Sequence, residues 1–164
     1  MANFNSNQFT QQRTAGELDL TTNPNPSVMT ARFNPDSETD LEGFGVGVGL
    51  TDLGSDDSEG PPIVDVRSED NDAIFGVRIF TTKQGDAEAG TPIEVAFKNA
   101  VVFMEAGEAL DRGVKVSLDV STGGEVQALD DFAEFGITLD KAGEAGDLIR
   151  VLITADGITE GTAT

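Results

Sequence analysis

The sequence predicts an all-β fold, a small β-barrel or sandwich with an extended N-terminal arm. Three observations carry that expectation. About eight or nine short strand-like stretches occur, several of them alternating apolar and polar residues at period two, as strands with one buried face do. Gly, Asp, Asn and Pro cluster between them at close spacing. No stretch of about ten residues carries the apolar stripe of a surface helix.

Residues 1–40 read as the arm and 41–164 as the β-domain. The first segment is rich in Asn and Gln and carries Pro24, Pro26 and Pro35, with no sustained period. It is either a loose tail or a partner-binding segment. The second reading rests on Phe4, Phe9, Val28, Met29 and Phe33, apolar anchors that a purely solvated tail does not need.

The elements then follow in order. Residues 44–50, FGVGVGL, alternate Phe, Val, Val and Leu with Gly, as in a strand closely approached by another backbone. The loop 51–60 is acidic; it lacks the spacing of a calcium-binding EF-hand and reads as a solvated loop. Pro61 and Pro62 open a strand over 63–66, and 74–80, IFGVRIF, supplies the next.

Ile93, Val95 and Phe97 alternate with Glu94, Ala96 and Lys98, and a short Lys98-Asn99 link, a weaker signal than Asn-Gly but with Asn99 able to take a positive φ, suggests a hairpin. The return run 100–104 is apolar on both faces. Such a strand is either central to a two-sided core or covered on one face by a partner chain, which makes Val102 and Met104 candidates for self-association. Val114, Val116, Leu118 and Val120 alternate again, and the turn 121–124 sends the chain back through Val126 and Ala128.

Residues 135–139, FGITL, and 148–153, LIRVLI, are the last strands, and Arg150 is expected to face solvent rather than a buried carboxylate. The strings FGVGV, FGVRI and FGITL begin at 44, 75 and 135; unequal separations argue against a solenoid, and they read as recurring strand starts.

Composition excludes more than it assigns. Ten Lys and Arg against 30 Asp and Glu give a net charge of -20, which repels nucleic acid and anionic membranes. The absence of Cys, His, Trp and Tyr removes disulfides, thiolate zinc sites, imidazole bases and sugar-stacking platforms. A glycosidase needs only two carboxylates about 5–10 Å apart, but no spacing singles out a pair. No enzyme activity, cofactor or metal is therefore expected. The N-terminus lacks a secretory pattern, and no stretch approaches the roughly 18 apolar residues of a membrane span. The expectation is a chain made and kept soluble inside the producing cell.

The order of three segments resembles the structural cement, or head decoration, proteins of tailed bacteriophages. They are GPPIVDVRSEDNDAIFGVRIFTTK, TPIEVAFKNAVVFMEAGEALDRGVKVSLD and FGITLDKAGEAGDLIRVLI. The likeness spans about residues 43–155 and rests on Phe75 to Val77, Ala106 to Glu108 with Gly113 to Val116, and Gly146 to Leu152. It implies a non-catalytic virion protein, made in the host cytoplasm, that binds the outer surface of the head and bridges neighbouring major capsid protein subunits. It also implies a trimer at threefold positions, which gives the two-faced strand 100–104 a partner. Phe4, Phe9, Arg13, Met29, Arg32 and Phe33 are then the candidate capsid contacts. The alternative is a head fibre, spike or other β-rich binding module.

Overall fold

The computed structural model describes residues 13–51, 60–69, 72–81, 85–122, 124–130 and 132–157. They form ten strands and, among the described residues, no helix. Strands β1 (Val28–Phe33), β2 (Gly47–Leu50), β3 (Ile63–Val66), β4 (Gly76–Arg78) and β5 (Pro92–Phe97) close into a barrel in the order β1-β3-β2-β4-β5. Strands β6 (Val101–Glu105), β7 (Lys115–Leu118), β8 (Val126–Ala128), β9 (Gly136–Thr138) and β10 (Leu148–Ile153) form a second sheet in the order β6-β10-β9-β7-β8.

The two halves repeat one topology. In the barrel, β1 pairs with β5, β5 with β4, β4 with β2 and β2 with β3, all antiparallel. In the second sheet, β6 pairs with β10, β10 with β9, β9 with β7 and β7 with β8, again antiparallel. The closing contact is parallel in both: Phe33 opposite Val64, and the single bridge Ala106 to Val126.

Register matches residue for residue. Gly76 lies between Val48 and Phe97; Gly136 lies between Val116 and Ile153. The connections match too: the amide of Gly45 donates to the carbonyl of Arg78 and that of Gly113 to Thr138, both at 2.8 Å. Leu41 and Ala87 exchange two main-chain hydrogen bonds, as do Leu110 and Ala142. The strings FGVRI and FGITL thus open equivalent strands, whereas FGVGV corresponds to the GVKVSL stretch from Gly113 to Leu118.

Alternation explains the interior. Ala31, Phe33, Val48, Val64, Ile93 and Val95 point into the barrel, and Met104, Val116, Val126, Ile149 and Val151 fill the second sheet. The second core runs on into the barrel's outer face through Ile74, Val77, Ile79 and Ala96. The halves therefore share one apolar boundary.

Three expectations change. From residue 13 onward the N-terminal segment belongs to the fold: β1 pairs with β5 from Val28 opposite Ala96 to Arg32 opposite Pro92. The Lys98-Asn99 link exists, with Asn99 at φ 77°, but β5 and β6 do not pair; the turn carries the chain from barrel to second sheet. A tight turn fixes the reversal and leaves the hydrogen-bond partners to the apolar faces. Arg150 is half-buried and bound to carboxylates, not turned freely to water.

Candidate interaction surfaces

Residues Gly16 to Asp19 form a strap along the outer edge of β6. The amide of Gly16 donates to the carbonyl of Phe103 at 2.8 Å, the amide of Phe103 to Glu17 at 2.8 Å, and the amide of Asp19 to Val101 at 2.9 Å. Leu18 stands opposite Val102 and packs on the second core. The carbonyl of Gly16 also accepts from the amide of Phe80, just beyond β4, at 2.9 Å. One short segment therefore ties the second sheet to the barrel.

Arg150 on β10 holds the end of the strap. Its Nε and Nη2 donate to the two carboxylate oxygens of Asp140 at 2.9 and 2.7 Å, a two-pronged pairing that suits the planar guanidinium. Nη1 reaches Asp19 at 3.4 Å and the Thr22 hydroxyl at 3.0 Å. The Arg150 hydrogen bond, outweighing partial burial, holds the Asp140 carboxyl below the usual range. At Asp19 burial acts upward and is the largest single influence, but hydrogen bonds from Thr22, Thr21 and Arg150 together bring the net shift down.

The candidate contact residues separate. Phe4 and Phe9 lie outside the described residues. Arg13 is exposed at the start of the strap, with its guanidinium 5.2 Å from the centre of the Phe103 ring and 2.5 Å from Glu17. Arg32 is exposed on β1, and Met29 is half-buried there. Phe33 is 0% exposed inside the barrel, so its reading as a surface contact is corrected: the alternation of Met29, Ala31 and Phe33 turns it inward. Val102 and Met104 are likewise 0% exposed, in the second core. The apolar character of β6 reflects burial within its own chain, completed at Val102 by Leu18.

Other features lie at the surface. Among the described residues, Leu20, Leu50 and Phe80 are the large exposed apolar ones, and Phe80 meets Phe44 edge to face with ring centres 5.0 Å apart. A cleft of about 370 Å³ is lined from the barrel side by Asp40, Glu42 and Val66 and from the second sheet by Asp119 and Thr122. Arg67, in its wall, donates from Nη1 to the carbonyl of Leu118 at 3.1 Å, a further tie between the halves.

The outer edge of β1 at Val28 to Thr30 is a feature that sequence reasoning missed. The signal was present in the Met29, Ala31, Phe33 alternation but was hidden by the surrounding Asn and Pro.

No protein-family model matches the sequence, and no curated protein matches it. Among solved structures, the chain is similar to the N base of the head fibre gp8.5 of bacteriophage phi29, at a TM-score of 0.50 and 16% identity. The likeness covers 78% of this chain and 93% of that one, and what it shows is a shared fold.

Proposed function

We propose that the protein is a non-catalytic structural component of a tailed-phage virion, mounted on the outside of the head. The fold likeness to a head-fibre base carries this reading, and the order of the sequence motifs supports it. Physically, a surface of net charge -20 suits a protein that meets solvent and a protein lattice, never the packaged genome.

Two forms of the role remain distinct. As a cement protein, the chain bridges major capsid protein subunits, as trimers at threefold positions. As a fibre base, it anchors a projecting structure; coverage of nearly the whole fibre-base chain favours this form. Exposed Arg13 and Arg32 are the described cationic candidates for contact in either.

Co-sedimentation of the purified chain with expanded heads of its phage tests the reading. Saturable binding is expected, and no binding at micromolar protein overturns it. Heads that resist heat or osmotic shock better when coated indicate cement; coated heads of unchanged resistance indicate a fibre base.

A further inference from the structure

The equivalence of the two halves places Val28, Met29 and Thr30 of β1 where Val101, Val102 and Phe103 stand in β6. In β6 that edge is filled by the strap. In β1 it is not.

Hydrogen bonds at the two ends of β1 fix which groups point outward. The carbonyl of Ser27 accepts from the amide of Phe97 and the amide of Phe33 donates to the carbonyl of Thr91. Met29 and Ala31 therefore turn their main-chain groups toward β5, and Val28 and Thr30 turn theirs away. Pairing with β3 begins only at Arg32, whose amide donates to the carbonyl of Pro62. Pro62 has no N–H to offer the carbonyl of Thr30. Pairing with β3 covers only Arg32 and Phe33, so the amide and carbonyl of Thr30 and the carbonyl of Val28 have no hydrogen-bond partner among the described residues. Their counterparts, on Phe103 and Val101, are the three groups that the strap satisfies.

Side chains agree with the main chain. Val102 is 0% exposed because Leu18 covers it, whereas Met29 at the matching place is half-buried, and Thr30 beside it is exposed.

We propose that the β1 edge is an open acceptor for an extended segment of a partner protein, which adds antiparallel along Val28 to Thr30 and lays an aliphatic side chain on Met29. Main-chain bonding supplies affinity in strand addition and the side-chain pocket supplies selectivity. With an overall charge of -20, the acceptor favours a neutral or basic segment over an acidic one. This inference rests on the internal equivalence and stands apart from the head-surface reading.

The probe is a capped synthetic peptide of residues 13–22 with Glu17→Gln and Asp19→Asn, a sequence already shaped for the equivalent edge. Titrated into the full chain, it is expected to shift the amide resonances of Met29, Thr30 and Ala31 saturably. Thr30→Pro removes the outward N–H while sparing the bonds to β5, and is expected to weaken binding at least tenfold. Methylating the peptide nitrogen that donates to the Thr30 carbonyl gives the same loss with unaltered protein, should the proline variant not fold. No shifts at millimolar peptide, shifts confined to Val101 to Phe103, or binding that survives N-methylation would overturn the proposal.

Discussion

Gly76 and Gly136 occupy the same place in two different sheets. A Cβ on Gly76 would lie 2.2 Å from the carbonyl oxygen of Ala96, and one on Gly136 would lie 2.3 Å from that of Leu152. A neighbouring strand's main chain fills the space that any side chain would need, and a main-chain atom in a ladder cannot swing aside. Gly76→Ala and Gly136→Ala are each expected to cost about 3 kcal/mol or more. Gly85→Ala, where a Cβ meets nothing within 4 Å, is expected to stay within about 0.5 kcal/mol. Urea titration of the three variants checks this.

Arg78 is 1% exposed, and burial lowers its pKa. Its Nη1 donates to the carbonyls of Leu41 and Gly43 at 3.1 and 2.9 Å, its Nη2 to Gly85 at 2.5 Å, and its guanidinium lies 4.7 Å from the centre of the Phe44 ring. Thr138, its counterpart, does a smaller version of the task by donating its hydroxyl to the carbonyl of Asp111 at 2.7 Å. Arg78→Ala leaves three carbonyls without this donor and is expected to cost about 3 kcal/mol. Arg78→Lys is expected to recover part of that, since an ammonium keeps the charge but not the planar fork. Thermal and urea unfolding of the pair measure both.

Acid should loosen the strap. The ordinary value for an Asp carboxyl is 3.8, and Asp19 and Asp140 both titrate below it in the folded chain. A depressed folded pKa stabilises the fold above the unfolded value, and that contribution disappears as pH falls through the folded one. Stability is therefore expected to be level near neutrality and to fall below about pH 4. With Arg150 and Asp140 about a third exposed, solvent screening limits Arg150→Ala to about 1 kcal/mol at pH 7. In that variant the acid-side decline becomes shallower. Urea midpoints measured from pH 2 to 7 for both proteins decide it; parallel curves would refute this role of Arg150.

Truncation separates the two parts of the N-terminal segment. A chain of residues 13–164 keeps every contact described above and is expected to fold. A chain of residues 41–164 loses β1, the strap and Leu18, so its barrel cannot close and β6 loses its cover. It is expected to be unfolded or aggregated, by circular dichroism and sedimentation. Residues 13–164 are thus the appropriate comparison for any test of what the first twelve residues bind.

How much of this was legible varies with how local the cause is. The ends of β10 are legible because LIRVLI is a short apolar run, broken only by Arg150, that follows the turn residues 140–146. The glycine turn at 121–124 correctly joined β7 to β8, where turn and pairing coincide. Around Asn99 they do not coincide, and nothing within a few residues distinguishes a hairpin from a crossing between sheets. The internal repeat stayed hidden because equivalent glycines lie 68, 60 and 56 residues apart, at 45 and 113, 76 and 136, 90 and 146. Loops of different length erased the period while register preserved the fold. For the candidate surface, residue type pointed to Phe33, whereas the open edge depends on main-chain groups that carry no sequence label.

The strap and β1 lie at the start of the chain, yet their partners come much later. During synthesis β1 can meet β3 at Arg32 and Phe33 first, but its long pairing with β5 is not complete until Ala96 has left the ribosome, and Leu18 must wait for Val102. A segment made well before its main partner is among the last to find its place, and a nascent chain that ends before β5 holds an apolar β1 beside an unclosed barrel. Topology of this kind slows folding, because distant ends must meet before any contact repays the ordering. The heavy negative charge distributed along the chain keeps such waiting chains apart.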